Sequence, residues 1–226
     1  MAEIYMANTG LLKDDKNARE ALDGVDEARR HDATRMADKN KRAQSLTAGL
    51  LLQHGAREHL GEDAPAGIYK VEKDEKGRPY FPDLPNVHFS LAHSGDMAVC
   101  AISDAPVGVD IQQWRDLKTD IAERFFHPAE KEHLRHLGGD EYKKDFYALW
   151  CLKESYIKYT GNGLSEALDE LDFTSVLEGG FAVFEFTEDN SRIRAELLEA
   201  PEGYSAAVIE LIIHEEIAAA EAAEET

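Results

Sequence analysis

LWCLKESYIKYTGNGL, residues 149–164, sets three ionisable side chains at the end of an apolar run. Phe146, Leu149, Trp150 and Leu152 lead directly into Lys153-Glu154-Ser155, and Lys158 follows four residues after Glu154. The spacing predicts a helix over residues 140–159, closed by Gly161. On such a helix Trp150, Glu154 and Lys158 fall at i, i+4 and i+8 and line one side. One reading is an exposed Glu-to-Lys pair contributing roughly 0.2–0.5 kcal/mol. The other is a metal and phosphate site, because a bridge meant only for water needs no such apolar neighbourhood.

The strand-like stretch PVGVDIQQW, residues 106–114, offers a second acid. Side chains alternate along a strand, so Asp110 and Gln112 share one face while Val109 and Ile111 take the other. An acid within an apolar strand is either an edge residue facing water or a buried group that requires a cation. Two carboxylates from separate elements, with lysines beside one of them, suit a Mg²⁺ ion that also takes phosphate oxygens.

Outward from these two segments the pattern is mixed. Residues 3–6 read as a first strand, and residues 42–60 as a helix with Leu46, Leu50, Leu51 and Leu52 on its apolar face. Lys76-Gly77-Arg78-Pro79 is a turn, and residues 87–103 are two strands joined at His93-Ser94-Gly95-Asp96. A helix is predicted over 129–137, and the final third returns to strands. Strand-helix-strand content recurs on either side of Ala105-Pro106, which predicts an α+β chain of two similar halves, 1–106 and 107–226, with residues 215–226 as an acidic tail.

Composition narrows the function. A hydrophobic content of 43% beside 31% charged residues describes a globular chain. No apolar run approaches the ~18 residues of a membrane span, and the start MAEIYMANTG has no signal-peptide pattern, so a cytoplasmic protein without a membrane partner is expected. A net charge of -20 argues against nucleic acid. Cys100 and Cys151 sit in apolar runs and read as buried thiols. Against the acidity, Arg29, Arg30, Arg35, Lys39, Lys41 and Arg42 form a basic island with only Asp32 and Asp38 inside it. It is either a solvated face or an anion site.

Taken in order, HFSLAHSG, VGVDIQ and FYALWCLKESYIKYTGNGL closely resemble the Sfp-type 4'-phosphopantetheinyl transferases. Gly108 to Asp110 match that family's strand motif, and Lys153, Glu154, Ser155 and Lys158 its helical motif. Gly77-Arg78-Pro79 and Arg42, with Ser45 and Gly49, extend the resemblance. It implies an α+β pseudo-dimer of two similar halves with the active site in the cleft between them. It further implies a monomeric, Mg²⁺-dependent enzyme that moves the phosphopantetheine arm of coenzyme A to a serine of an apo acyl or peptidyl carrier protein, releasing 3',5'-ADP. Carried over by position, Asp110 and Glu154 hold Mg²⁺, Glu154 and Lys158 are catalytic, and Arg42, Arg78, His93, Lys153 and Lys158 bind coenzyme A together with Asp110. Many members carry a second acid where this chain has Gln112, which is expected to reach the metal through its carbonyl oxygen or a water.

Other polar residues are read as structural. His133 and His136 belong to a charged helix, His88 to a strand face, and Trp114, Tyr80, Phe125 and Phe126 to packing. Two rival functions remain, a non-catalytic carrier-binding module and a Mg²⁺-dependent nucleotide hydrolase. The pathway served by the carrier, fatty acid or secondary metabolism, is left open.

Overall fold

The computed structural model describes residues 1–116, 121–162, 168–186 and 191–212. The expected acidic tail, 215–226, lies outside the described residues. In chain order the elements are β1 (Glu3–Asn8), α1 (Asp15–Ala21), α2 (Glu27–Arg35), α3 (Lys39–Leu60), β2 (Glu72–Lys73), β3 (Pro79–Tyr80), β4 (His88–Ser94), β5 (Met97–Ser103) and β6 (Val107–Gln113). There follow α4 (Ile121–Phe125), α5 (Pro128–Arg135), α6 (Gly139–Thr160), α7 (Thr174–Gly179), β7 (Phe181–Phe186), β8 (Ser191–Leu198) and β9 (Tyr204–Leu211).

Two antiparallel sheets organise the chain. The first has the order β1-β5-β4 and the second β6-β9-β8-β7. A 22-residue helix serves each sheet, α3 the first and α6 the second. In each sheet the strand before the long helix pairs with the last strand, which in turn pairs with the strand preceding it.

Sequence accounts for both helices. Asp38 caps α3 by accepting from Asn40 N and Lys41 N, so the helix starts three residues before the expected Arg42. Leu52 and Ala56 of α3 pack with Phe89 and Ile102 of the first sheet and with Tyr69 and Phe81 from the segment between α3 and β4. Leu46 faces the other way, onto Val25 and Ala33 beneath α2. On α6, Phe146, Leu149 and Leu152 are buried with Phe126, Phe173, Ile193 and Ile209. A fourth apolar cluster joins the sheets: Met97, Val99 and Ala101 from β5 meet Val107, Val109 and Ile111 from β6 and Val208 from β9.

Where β4 and β6 run side by side no strand ladder forms. Ser90 Oγ instead accepts the Val109 N–H at 3.0 Å, and Ser94 Oγ accepts the Gln113 N–H at 3.0 Å. These hydroxyls satisfy two edge-strand donors that would otherwise be buried without partners. At the β4–β5 turn Gly95 has a φ of 55°, a region costly for residues with a side chain. Cys100 and Cys151 are free and buried, as expected.

Candidate active site

The site begins with a glycine. A Cβ at Gly108 would lie 2.0 Å from Ser155 O and 2.5 Å from Tyr159 N, so β6 can ride against the backbone of α6 only without a side chain there. Ser155 Oγ donates to Ala207 O at 2.9 Å and Cys151 Sγ to Ser205 O at 3.1 Å, which pins the same helix to β9. With the register fixed, Asp110, two residues beyond Gly108, faces the helix near Glu154 and Lys158.

Asp110 is buried and both its oxygens are engaged. Lys158 Nζ donates to Oδ1 at 2.7 Å and to Val109 O at 2.9 Å. Gln112 Nε2 donates to Oδ2 at 2.8 Å, so the strand alternation read from sequence holds. Glu154 is half-buried and makes no hydrogen bond or ion pair among the described residues. Burial first, and then the Asp110 charge, push its carboxyl above the usual range, while Lys158 opposes the shift. One acid neutralised by a lysine therefore stands beside one acid with no partner. Among the described residues no set of three or more His, Cys, Asp or Glu side chains forms a metal cluster. The candidate is a two-carboxylate pair with Gln112 beside it.

A basic groove opens next to the acids. Lys76, Arg78, Ser90 and Lys158 line a cavity of about 320 Å³. The turn that presents Arg78 is built on Asp74, whose Oδ1 accepts Lys76 N at 2.9 Å and Arg78 N at 2.8 Å. Arg78 passes close to Gly161 at the C-terminal end of α6, where a cation is favoured by the helix dipole. Lys76 Nζ reaches Asn162 Oδ1 at 2.9 Å from the same turn. A neighbouring cavity of about 800 Å³, sharing Gly77, Pro79 and Leu91, is lined by Arg29, Ser45 and His93. Desolvation, then the Lys158 charge, holds the His93 imidazole below its usual pKa.

The structure thus brings together Asp110, Gln112, Glu154, Lys158 and Arg78, with His93 in the adjoining groove. It does not bring Lys153 there. The Lys153 ammonium is fully buried on another side of α6, 2.8 Å from Glu130 Oε2, and donates to the Leu168 and Leu171 carbonyls at 2.8 and 2.5 Å. The resemblance implied Lys153 as a coenzyme A ligand, but consecutive helical residues point about 100° apart, so Lys153 leaves the face that carries Glu154 and Lys158. Arg42 also stands apart from both grooves: its guanidinium pairs with Asp15 at 2.5 Å, and Lys39 pairs with the other oxygen of that acid at 2.7 Å. These two cations hold the Asp15 carboxyl down at about 2. Within the basic island Arg29, Lys39 and Arg42 are thus paired with acids upstream of it, Asp26 and Asp15.

His133 and His136, read as solvated, pair with Asp145 at 2.7 Å and Glu132 at 3.2 Å. Glu130, in contrast, is completely buried. Its oxygens accept the His127 and Phe173 N–H groups as well as Lys153. Sequence reasoning missed Ser90 and Ser94, because a serine within a strand normally signals a water-facing position. The only available signal was their four-residue spacing.

Residues 106–209, which contain Asp110, Glu154 and Lys158, match the sequence model of the 4'-phosphopantetheinyl transferase superfamily. A 4'-phosphopantetheinyl transferase of Bacillus subtilis is 35% identical over 184 residues, covering 81% of each chain. The chain belongs to the 4'-phosphopantetheinyl transferase family. The transferase Sfp of Bacillus subtilis (strain 168) is 37% identical to this family member over 139 residues, or 62% of each chain. Among solved structures, a holo-(acyl-carrier-protein) synthase from Bacillus anthracis overlays 47% of this transferase and 95% of itself, with a TM-score of 0.34 and 16% identity, too loosely to bear on the site. No helix among the described residues is long and apolar enough to cross a membrane.

Proposed function

We propose that this transferase moves the 4'-phosphopantetheine arm of coenzyme A onto a serine of an apo acyl or peptidyl carrier protein, releasing 3',5'-ADP with Mg²⁺ bound. The observation that carries this reading is the pairing of a two-carboxylate cluster with a groove lined by Lys76, Arg78 and Lys158. The recurring strand and helix order supports two similar halves, 1–106 and 107–226, forming a pseudo-dimer within one monomer and contributing residues to a cleft between them. The negative net charge speaks against nucleic acid as a partner, while the cations of the groove supply a local field for a small anion; a cytoplasmic setting without a membrane partner belongs to the same reading.

The donor set fits the metal. Asp110, Glu154 and the Gln112 carbonyl offer hard oxygens, and Mg²⁺ characteristically takes one or two carboxylates and completes its shell with water and phosphate. Bound there, the ion would neutralise charge on the diphosphate and on the departing phosphate. The chain's own groups do the rest. Lys158 and Arg78 pair with phosphate oxygens and orient the β-phosphorus towards the incoming hydroxyl. The neutral imidazole of His93 takes the adenosine or its 3'-phosphate. As the serine oxygen bonds to the β-phosphorus, the bond from that phosphorus to the bridging oxygen breaks, and the electron pair leaves with 3',5'-ADP. The serine proton passes to Glu154, directly or through a water, and the raised pKa of this carboxyl suits it as the base.

The test is to mix the protein with coenzyme A, Mg²⁺ and an apo carrier domain, then weigh the carrier. A gain of one phosphopantetheine per carrier is expected. Breakdown of coenzyme A without a gain would indicate a hydrolase, and carrier binding with neither outcome a non-catalytic module.

A further inference from the structure

Asp110 is closed by the chain's own donors. Lys158 Nζ lies 2.7 Å from one oxygen and Gln112 Nε2 2.8 Å from the other, whereas Glu154 carries no donor among the described residues. The ammonium does more than occupy a lone-pair direction. It cancels the Asp110 charge and sets a like charge where a divalent cation would arrive. The same ammonium sits at the wall of the Arg78 groove, on a flexible four-carbon stem that is 29% exposed, so it can turn towards an anion without disturbing the helix.

We infer that Lys158 is an internal counter-ion that keeps Asp110 closed to a divalent cation until an anionic ligand draws the ammonium into the groove. This rests on the metal reading of Asp110 and Glu154 given above. With Lys158 on Asp110, the three side chains Asp110, Glu154 and Lys158 sum to one negative charge. With Lys158 turned away the two acids present two. Metal and anion therefore assist one another, and each raises the affinity of the other by the same factor. The consequence for the enzyme is order: the free protein holds little metal, and the site assembles only when the diphosphate is present.

The test uses the full chain and Mn²⁺, a paramagnetic stand-in for Mg²⁺, titrated without coenzyme A and followed by water-proton relaxation. Lys158→Met is expected to bind Mn²⁺ at least tenfold more tightly than wild type. Saturating coenzyme A should tighten Mn²⁺ binding to wild type by a similar factor and to Lys158→Met far less. Equal or weaker Mn²⁺ binding by Lys158→Met would overturn the lock while leaving the metal site standing. Asp110→Asn separates the two ideas. If, with coenzyme A saturating, it binds Mn²⁺ as wild type does, the cation lies elsewhere and both readings fall together. Lys158→Gln keeps a neutral donor for the Val109 carbonyl and should show the same gain, so the comparison survives if Lys158→Met does not fold.

Discussion

Replacing Lys153 with methionine distinguishes a structural lysine from a ligand-binding one. The side chain is fully buried, its ammonium held by Glu130 and two carbonyls, with the Phe126 and Phe173 rings at 6.0 and 5.1 Å. Removing one partner of a buried pair costs about 3–5 kcal/mol, because the other charge stays behind. Glu130 keeps the His127 and Phe173 N–H donors, which argues for the lower end, about 3 kcal/mol. For a chain of this size that corresponds to a fall in Tm of roughly 6–12 °C. The loss should depend on pH. Burial already raises the Glu130 carboxyl above its ordinary value, and Lys153 is the main influence opposing that rise. In the variant the folded state therefore binds a proton more readily than the unfolded chain, so stability falls as pH rises through the elevated pKa. Thermal melts from pH 5 to 8 should show the deficit growing with pH, while the KM for coenzyme A, measured well below the melt, stays within twofold of wild type. A near-normal Tm with a several-fold higher KM would refute the reasoning and restore Lys153 to the ligand site.

Three other outcomes follow from the same geometry. Asp110→Ala and Glu154→Ala should each remove transfer to the carrier while circular dichroism stays native; near-wild-type turnover of either variant at saturating Mg²⁺ would show that the acids were wrongly assigned. Arg78→Ala should raise the KM for coenzyme A about tenfold with a smaller change in kcat, the mark of lost ground-state binding. Arg42→Ala, whose guanidinium is spent on Asp15, should change KM less, and steady-state kinetics that reverse the order would move the anion site into the basic island. Gly108→Ala places a methyl 2.0 Å from a helix carbonyl, so it should destabilise by about 3 kcal/mol or more and cut turnover at temperatures where the protein remains folded; an unchanged melt would mean that β6 and α6 are not in the contact described.

What could be read from sequence was what obeys a local period. Alternation along residues 108–112 put Asp110 and Gln112 on one face, and the i, i+4 rule put Glu154 and Lys158 together. Those rules hold because each compares residues on a single element. They fail where a partner comes from elsewhere. Nothing near Lys153 in sequence announces Glu130, and an α6 buried on more than one side gives its lysine an interior destination that an amphipathic reading cannot show. The pairing of the basic island was hidden for the same reason, since Asp15 stands 27 residues before Arg42 and is brought to it only when α1 folds against α3. The recurrence on either side of Ala105-Pro106 was visible as a pattern of elements, but the serine seam between β4 and β6 was not.

That seam bears on how the site is held. Val109 gives its N–H to Ser90 of the first sheet and accepts from Lys158 of α6 at its C=O, which belongs to the peptide that leads into Asp110. One residue therefore links the first sheet, the strand that carries the acid and the cation paired with it. A shift of β4 relative to β6 would move the Val109 carbonyl and with it one of the two contacts that set the ammonium. A ladder between those strands would have fixed them at every residue, but two hydroxyls four residues apart fix only two points. The stretch between them, Val109 to Gln113, carries both Asp110 and Gln112. The acid thus sits on a span of strand laddered to β9 along one edge, held to β4 at two points along the other, and backed by α6, whose backbone Gly108 admits at close range. Rigidity here comes from the helix together with the β9 ladder, and because only a glycine lets that helix approach, Gly108 is as necessary to the site as the carboxylate two residues beyond it.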